Sequence, residues 1–170
     1  WNRTTTYQVM GVDHFITQRD FRQRGLTRDG VWYADQGMTE IILQELQQKI
    51  QPTFVFAASI QAHGPYTGEQ TVADPIQRNA IQVPRKLTDL EAEEFRNYLY
   101  HIQQADTQFE RLLVGLQARG RPFVLLFFSD HLPAFESPIY EQLLFKEGGE
   151  ASEQRVPWLI VKGDASGVLQ

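Results

Sequence analysis

The feature that most constrains this chain is an apolar run that ends in two residue types able to bind metals or move protons. Residues 123–128 read Phe-Val-Leu-Leu-Phe-Phe, Ser-Asp-His follows directly, and a proline stands on either side. Such a run is typical of a strand that is buried on both faces. Because ligands of open α/β sheets bind beyond the carboxyl ends of the strands, Asp130 and His131 are the first candidates for a site.

A second segment repeats this order of features. Residues 53–60 form another short apolar run, and the turn that follows carries His63. A capping-box pattern at Thr88 then predicts a long amphipathic helix over 88–118, between the two runs. A long helix between two buried strands is the connection that parallel strands require, and such connections are right-handed. We therefore expect His63 to open onto the same sheet rim as the Asp-His pair.

Weaker patterns predict the remaining elements. Proline and polar residues over 67–87 indicate a long loop, and residues 17–34 also have a loop composition. Asp35 has the position of an N-cap or first-turn acid of a helix. The further predicted elements are a helix at 4–10, a strand at 12–16, a helix at 35–50 and a strand at 156–161.

Composition excludes several classes of protein. With 170 residues, 42% of them hydrophobic, the chain is long enough for one domain with a core. A net charge of −5 without a Lys/Arg cluster argues against a nucleic-acid partner. The chain has no cysteine, which excludes disulfides and thiolate metal sites. No apolar run approaches the roughly 20 residues of a membrane span, and a first residue of Trp suggests a fragment or a processed product.

The Asp130-His131 pair by itself has two interpretations. A carboxylate oxygen and an imidazole nitrogen suit zinc or manganese, but two ligands are half of a site. The structural interpretation is a strand-end pair that caps a turn, just as His63 could be a histidine that hydrogen-bonds its own loop.

Several motifs, in order along nearly the whole chain, resemble the sulfatase branch of the alkaline phosphatase superfamily. Within that branch they are most similar to the lipoteichoic acid synthase and phosphoglycerol transferase group. The motifs are Trp1-Asn2-Arg3 with Tyr7 and Gly11–Phe15, Gly30–Asp35 before a helix, Ala62–Tyr66, a helix with Tyr98 and Asp106, and Phe128–Pro133.

The resemblance implies a fold and a chemistry. The fold would be a three-layer α/β/α alkaline phosphatase-like sandwich with a mostly parallel sheet, and residues 1–170 would be the C-terminal, incomplete part of its single catalytic domain. Asp130 and His131 would hold one divalent metal, manganese first, with zinc, magnesium or calcium as alternatives. His63, Arg3 and Trp1 would contact a phosphoglycerol-type lipid or glycan substrate, for which the forked guanidinium of Arg3 suits a phosphate group.

The chain also departs from the family pattern. In the family, the early acidic ligand and the threonine nucleophile precede the segment that corresponds to Trp1-Asn2-Arg3, so no catalytic nucleophile is expected here. Thr4, Thr5 and Thr6 match no nucleophile motif. The expected partner is the rest of a parent chain with membrane helices, in a membrane-anchored bacterial protein whose domain is periplasmic or at the cell surface. We expect the fragment alone to be inactive.

Two rival functions remain open on this basis. One is a hydrolase on the same scaffold, such as a sulfatase, a phosphodiesterase or a phosphonate hydrolase, which the upstream nucleophile would distinguish. The other is a non-catalytic, degenerate binding domain, which would lack an acidic ligand and a nucleophile in the parent gene.

Overall fold

Helices and two short antiparallel sheets make up the structure, which is a computed structural model. It describes residues 3–68, 70–143, 149–150, 154–166 and 168–169, without the side chains of Arg3 and Thr4. The elements are α1 (Arg3–Val9), α2 (Gln18–Gln23), β1 (Arg28–Asp29), β2 (Trp32–Tyr33), α3 (Asp35–Gln47), α4 (Pro75–Ala80), α5 (Asp89–Ala118), β3 (Phe123–Phe128), α6 (Ile139–Gln142) and β4 (Trp158–Gly163).

Helix α5 is the longest element, and its N-terminus forms as its sequence predicts. The Thr88 hydroxyl accepts the Glu91 N–H, while the Glu91 carboxylate accepts the N–H and hydroxyl of Thr88 at 2.8 Å each. This capping box satisfies donors that the first helical turn leaves unpaired. The helix ends before Gly120, whose φ of +61° is the left-handed conformation that glycine adopts most readily.

Helix α3 packs against the C-terminal half of α5. The helices approach closely at Gly115, where an added Cβ would lie 2.6 Å from a Leu43 methyl carbon. Beyond the crossing, the Arg119 guanidinium donates to the Leu46 carbonyl, and that of Arg121 donates to the carbonyls of Lys49 and Ile50. These bonds join the residues that follow α5 to the last turn of α3 and to the two residues Lys49 and Ile50 beyond it.

The N-terminal half of α5 buries a polar face, which the apolar pattern of the helix does not predict. Its buried residues there are Glu91, Glu94, Asn97, Tyr100 and His101. Their spacing of three or four residues places them on one side of the helix. Buried polar groups need hydrogen-bond partners, and Glu94, Asn97 and Tyr100 bond the loops that lie over this face of α5. Glu91 bonds its own N-cap, and the Nδ1 atom of His101 is left without a hydrogen bond among the described residues.

Strands β3 and β4 form an antiparallel pair in which Leu126 lies opposite Ile160 and Phe128 opposite Trp158. The prediction of a strand at 123–129 is confirmed, and the strand predicted at 156–161 occurs two residues later. The prediction that β3 is buried on both faces is wrong for this structure, since Leu126 and Phe128 are 52% and 54% exposed. Among the described residues, β3 has one neighbouring strand, whereas burial on both faces requires cover on each.

The predicted parallel partner of β3 is likewise not seen as a strand. Residues 53–60 have no ladder hydrogen bonds, and Phe54 is 90% exposed. Both sheets in the described part of the chain are antiparallel, so the mostly parallel sheet that was expected is not present there. The apolar composition of 53–60 fits a strand, but a strand forms only where a neighbour supplies its hydrogen bonds.

Smaller differences occur in the loops. The strand predicted at 12–16 does not form, and the segment 17–34 contains α2 and the β1–β2 hairpin. The expected loop 67–87 includes α4. Asp35 is the first helical residue of α3, after Ala34 as N-cap. None of the helices in the described ranges is both long and apolar enough to span a membrane.

Candidate functional site

The turn that carries His63 and the turn that carries His131 meet in the structure. We call residues 61–66 the His63 turn and residues 129–137 the Asp-His loop. The imidazole rings of His63 and His131 lie edge to face, with centroids 6.0 Å apart and planes at 85°. The two turns therefore share one rim, as their sequence positions predict, although the expected parallel strands do not bring them together.

Each of the two histidines lies within hydrogen-bond distance of a backbone carbonyl of its own loop through Nδ1. His63 Nδ1 lies 2.9 Å from the Gly64 carbonyl oxygen, and His131 Nδ1 lies 2.6 Å from that of Leu132. A hydrogen bond at this position requires the proton on Nδ1, because a carbonyl oxygen can only accept. In that tautomer the lone pair of Nε2 is available to a metal ion or to a donor on a substrate.

Asp130 stands beside His131 and is open to solvent. Its Oδ1 lies 3.7 Å from His131 Nε2, and the side chains of Asp130 and His131 are 84% and 56% exposed. Two ligand atoms at about 2.1 Å from one ion lie about 3 Å apart in adjacent positions. A small rotation would therefore let this pair bind one divalent ion, and the oxygen and nitrogen donors suit manganese or zinc.

A complete metal site is not present in the described part of the chain. No group of three or more His, Asp or Glu side chains is placed there to hold an ion. The donor types of Asp130 and His131 fit a divalent metal as two of its ligands, and their role as ligands stays a prediction.

Trp32 is a site residue to which the sequence analysis gives no role. Its indole N–H donates to the carbonyls of His63 at 2.9 Å and Gly64 at 3.0 Å. Its ring also lies edge to face with the His63 ring, with centroids 6.1 Å apart. Trp32 thus holds the backbone of the His63 turn in place, and only its position within the Gly30–Asp35 motif could have suggested this.

A buried hydrogen-bond network around the Asp29 carboxylate holds the first residue of the His63 turn. Asp29 is 3% exposed and accepts from the Gln61 side-chain amide at 2.9 Å, the Ala73 N–H at 2.8 Å and the Tyr100 hydroxyl at 2.9 Å. Gln61 in turn accepts the Asp35 N–H at 2.7 Å. The network joins the β1–β2 hairpin, the first residue of the His63 turn, α3 and α5.

The side chain of Asp35 lies against residues 59–61, where the His63 turn begins. Burial raises the pKa of the Asp35 carboxyl above its usual range, and hydrogen bonds from the Gln61 and Ile60 backbone and the Ser59 side chain partly offset that effect. Its helix-end position was predictable, whereas its contact with residues 59–61 depends on the tertiary fold.

An aromatic cluster fills the space between the two turns. The Tyr66 ring lies 5.4 Å from that of Tyr98 and 5.5 Å from that of Phe135, and the Tyr98 and Phe135 rings are 5.4 Å apart. The Tyr66 hydroxyl donates to the Ala62 carbonyl, and burial raises its pKa to about 12. Since Tyr66 belongs to the His63 turn and Phe135 to the Asp-His loop, the cluster spaces one from the other.

The two remaining predicted site residues cannot be placed. Trp1 lies outside the described residues, as does the side chain of Arg3, whose backbone begins α1. Their predicted contact with substrate stays a prediction.

Comparison with known proteins identifies the family. A sulfatase family model matches residues 1–166. The chain belongs to the sulfatase family. This confirms the predicted fold class, an alkaline phosphatase-like α/β domain, at the level of the family. The match singles out no narrower group, so lipoteichoic acid synthase or phosphoglycerol transferase ancestry is not established by it.

Three relatives of this sulfatase-family chain are bacterial proteins. It is 26% identical over 148 residues to a Rhizobium meliloti protein named for cyclic beta-1,2-glucan modification, covering 87% of the chain and 22% of that protein. It is 26% identical over 124 residues to the capsular polysaccharide biosynthesis protein RkpI of the same organism, covering 72% of the chain and 20% of RkpI. It is 25% identical over 175 residues to an uncharacterized Haemophilus influenzae protein, covering 98% and 30%.

The chain thus spans between a fifth and a third of the length of these relatives. No solved structure matches it significantly.

Proposed function

We propose that this chain is part of a metal-dependent, phosphoglycerol transferase-like enzyme of the sulfatase family. Its substrate would be a phosphate ester of a membrane-derived glycerol lipid or a glycan, and it would act outside the cytoplasmic membrane of a bacterium. Support for a glycan acceptor comes from the relatives named for glucan modification and capsular polysaccharide biosynthesis.

One observation carries the proposal: His63 and the Asp130-His131 pair share a rim, with the two imidazole rings edge to face and their centroids 6.0 Å apart. This arrangement puts a two-ligand metal half-site beside a histidine that can serve a substrate. A turn-capping role would use Asp130 in local hydrogen bonds, whereas its side chain is 84% exposed.

Each residue of the proposed site would have a separate role. Asp130 and His131 would hold the divalent ion, manganese in the first instance, which when bound polarises a phosphoryl oxygen as a Lewis acid. His63 would accept a hydrogen bond through Nε2 when neutral, and when protonated would donate one to a phosphoryl or leaving oxygen. Trp32 would keep the His63 backbone in place, and Trp1 and Arg3 would contact the phosphoglycerol group.

The nucleophile and the acidic ligand that complete such a site would come from other parts of the protein. That division predicts that the 170-residue chain alone neither transfers nor hydrolyses phosphate or sulfate esters. Turnover by the purified chain would contradict it.

Metal binding by the chain can be tested through its four histidines. We expect paramagnetic Mn²⁺ to broaden the ring signals of His131 most and of His63 next, because their rings are 6.0 Å apart. The buried His101 serves as the reference, since His14 follows Asp13 and lies 3.3 Å from a Glu45 carboxylate oxygen. Asp130→Asn should abolish the effect, and Asp13→Asn, at another exposed aspartate, should not. Equal broadening of all four histidines, or no response to Asp130→Asn, would reject the half-site.

The activity is tested in the full-length protein, with a phosphoglycerol-bearing lipid as donor and a glucan as acceptor. Asp130→Asn and His131→Gln should each reduce transfer by at least about 10- to 100-fold, the loss that even outer-shell partners of a metal cause. Release of the phosphoglycerol group to water, with or without the glucan, would favour the hydrolase instead.

A further inference from the structure

One face of α5 hydrogen-bonds the backbone of both turns that form the rim. The Asn97 side-chain amide donates to the Tyr66 carbonyl at 2.6 Å, at the end of the His63 turn. The Glu94 carboxylate accepts the N–H of Glu136 at 2.6 Å and of Ser137 at 3.0 Å, at the end of the Asp-His loop.

These two residues are among the most deeply buried in the described part of the chain. Asn97 is 0% exposed and Glu94 is 1% exposed. A buried carboxylate or amide is strongly unfavourable unless it is hydrogen-bonded. Because their partners are backbone groups, the bonds fix the path of the main chain. The other side of Asn97 is also engaged, since its Oδ1 accepts from Arg78 Nε at 2.8 Å.

The spacing of the two residues along α5 sets a spacing between the two turns. Residues three apart lie on the same helix face and differ by about 4.5 Å along the axis, from a rise of about 1.5 Å per residue. Glu94 and Asn97 therefore bind two separate loops at adjacent points of one rigid element. Directly after Asn97, Tyr98 contacts the rings of both Tyr66 and Phe135.

We propose that Glu94 and Asn97 are positioning residues that set the separation of His63 and His131. The proposal rests on the proposed function for what the histidine pair does, but its geometry does not depend on a metal or a substrate. Helix α5 sets the distance between the two turns, because Asn97 holds the His63 turn and Glu94 holds the Asp-His loop. The aromatic cluster packs between the two turns and keeps them apart.

Two nearly isosteric substitutions remove these bonds one at a time. Asn97→Asp keeps an oxygen for Arg78 but places a carboxylate oxygen against the Tyr66 carbonyl, where neither can donate. Glu94→Gln keeps one acceptor and turns an amide N–H toward a backbone N–H of the Asp-His loop. Neither changes the volume of the side chain.

Glu91→Gln is the matched control. Glu91 is also a buried glutamate of α5, and it also accepts two hydrogen bonds through its carboxylate. Both of its partners belong to the capping box at Thr88 and reach one oxygen, Oε2, which a glutamine can supply as well. The substitution therefore controls for the loss of a buried charge on α5 without touching either turn. Thermal unfolding of each variant establishes that it is folded.

The measurement is the nuclear Overhauser effect between the ring protons of His63 and His131 in the metal-free 170-residue chain. We expect Asn97→Asp and Glu94→Gln each to lose it, and Glu91→Gln to keep it at the original intensity. Should Asn97→Asp unfold, Glu94→Gln carries the test alone. Retention of the effect in the folded Asn97 and Glu94 variants, or its equal loss in Glu91→Gln, would overturn the proposal.

This outcome is separable from that of the proposed function. Failure of Mn²⁺ to broaden His131 in the unchanged chain would reject the metal half-site while leaving the histidine contact intact. Loss of the His63–His131 contact in the Asn97 and Glu94 variants, but not in Glu91→Gln, supports the positioning role of α5 whatever the metal result is.

Discussion

The rim and the β3–β4 sheet are stabilised in opposite ways. At the rim, every turn is joined to α5 or to the β1–β2 hairpin by hydrogen bonds from buried side chains such as Asp29 and Asn97. On the sheet, one face presents Leu126, Phe128 and Ile160 to solvent, at 52%, 54% and 45% exposure. Hydrogen bonds within this chain therefore position the two turns of the candidate site, whereas the sheet lacks cover among the described residues.

The difference matters for how each region responds to substitution. A buried polar network is sensitive at each member, because a lost partner leaves an unsatisfied group behind. Replacing an exposed apolar side chain changes the free energy of unfolding little, because that side chain is already in water in the folded state. Three predictions test this contrast.

The largest effect is expected from Asp29→Ala. It leaves the Gln61 amide, the Ala73 N–H and the Tyr100 hydroxyl without their acceptor. Because each buried unsatisfied group costs about 1–3 kcal/mol, we expect the free energy of unfolding to fall by about 3–5 kcal/mol. Urea unfolding monitored by circular dichroism measures this change.

The control for that prediction is Asp13→Ala, at an exposed aspartate. Surface substitutions of this kind change stability by less than about 0.5 kcal/mol. Equal effects of the two substitutions would show that the Asp29 network does not stabilise the rim.

A smaller, pH-dependent effect is expected from His101. Burial lowers the pKa of the His101 imidazole below its usual value, the Arg78 charge lowers it further, and Asp29 partly opposes both. Above the unfolded pKa of about 6.5 both states are neutral. Below it the unfolded chain takes up a proton first, so this contribution to stability is lost as the pH falls.

His101→Gln should therefore reduce the loss of unfolding free energy between pH 7.5 and pH 5.5. The comparison uses urea unfolding at both pH values, with His14→Gln as the control because the His14 side chain is 59% exposed. The raised pKa of Asp35 acts with the opposite sign, but it is common to all three proteins. An unchanged pH dependence in His101→Gln would show that this histidine takes up its proton equally in both states.

The sequence predicts local structure well where a few adjacent residues decide it. The capping box at Thr88 specifies the start of α5, and the apolar run 123–128 specifies β3. These two features depend on helix-end hydrogen bonds and on apolar periodicity, which a linear pattern records. The meeting of His63 and His131 was predicted too, but from a pair of parallel strands that the described residues do not form.

What the sequence does not reveal depends on partners distant along the chain. Asn97 bonds Tyr66 across 31 residues, and Trp32 bonds His63 across the same separation. Polar residues recur at every third or fourth position of α5, but the solvent-exposed face of a helix shows the same pattern as this buried polar face. Residues 53–60 show the converse, since their strand-like composition does not by itself provide a neighbouring strand.

The smallest effect should come from the open face of the sheet, and two adjacent leucines provide the test. Leu126 is 52% exposed, whereas Leu125 points to the opposite face with Phe127, whose ring contacts Phe109 of α5 at 5.1 Å. We expect Leu126→Thr to change the free energy of unfolding by less than about 0.5 kcal/mol. Leu125→Thr should lower it by about 1–2 kcal/mol through lost apolar burial.

Threonine suits a strand at both positions, so its backbone preference does not separate the two variants. Leu126→Thr should also reduce binding of a hydrophobic fluorescent dye, because it removes apolar surface that is open to solvent. If Leu126→Thr instead destabilises the chain as much as Leu125→Thr does, the open face is packed in solution. The contrast between a self-contained rim and an uncovered sheet would then fail at the sheet, while the hydrogen bonds of α5 to the two turns would be unaffected.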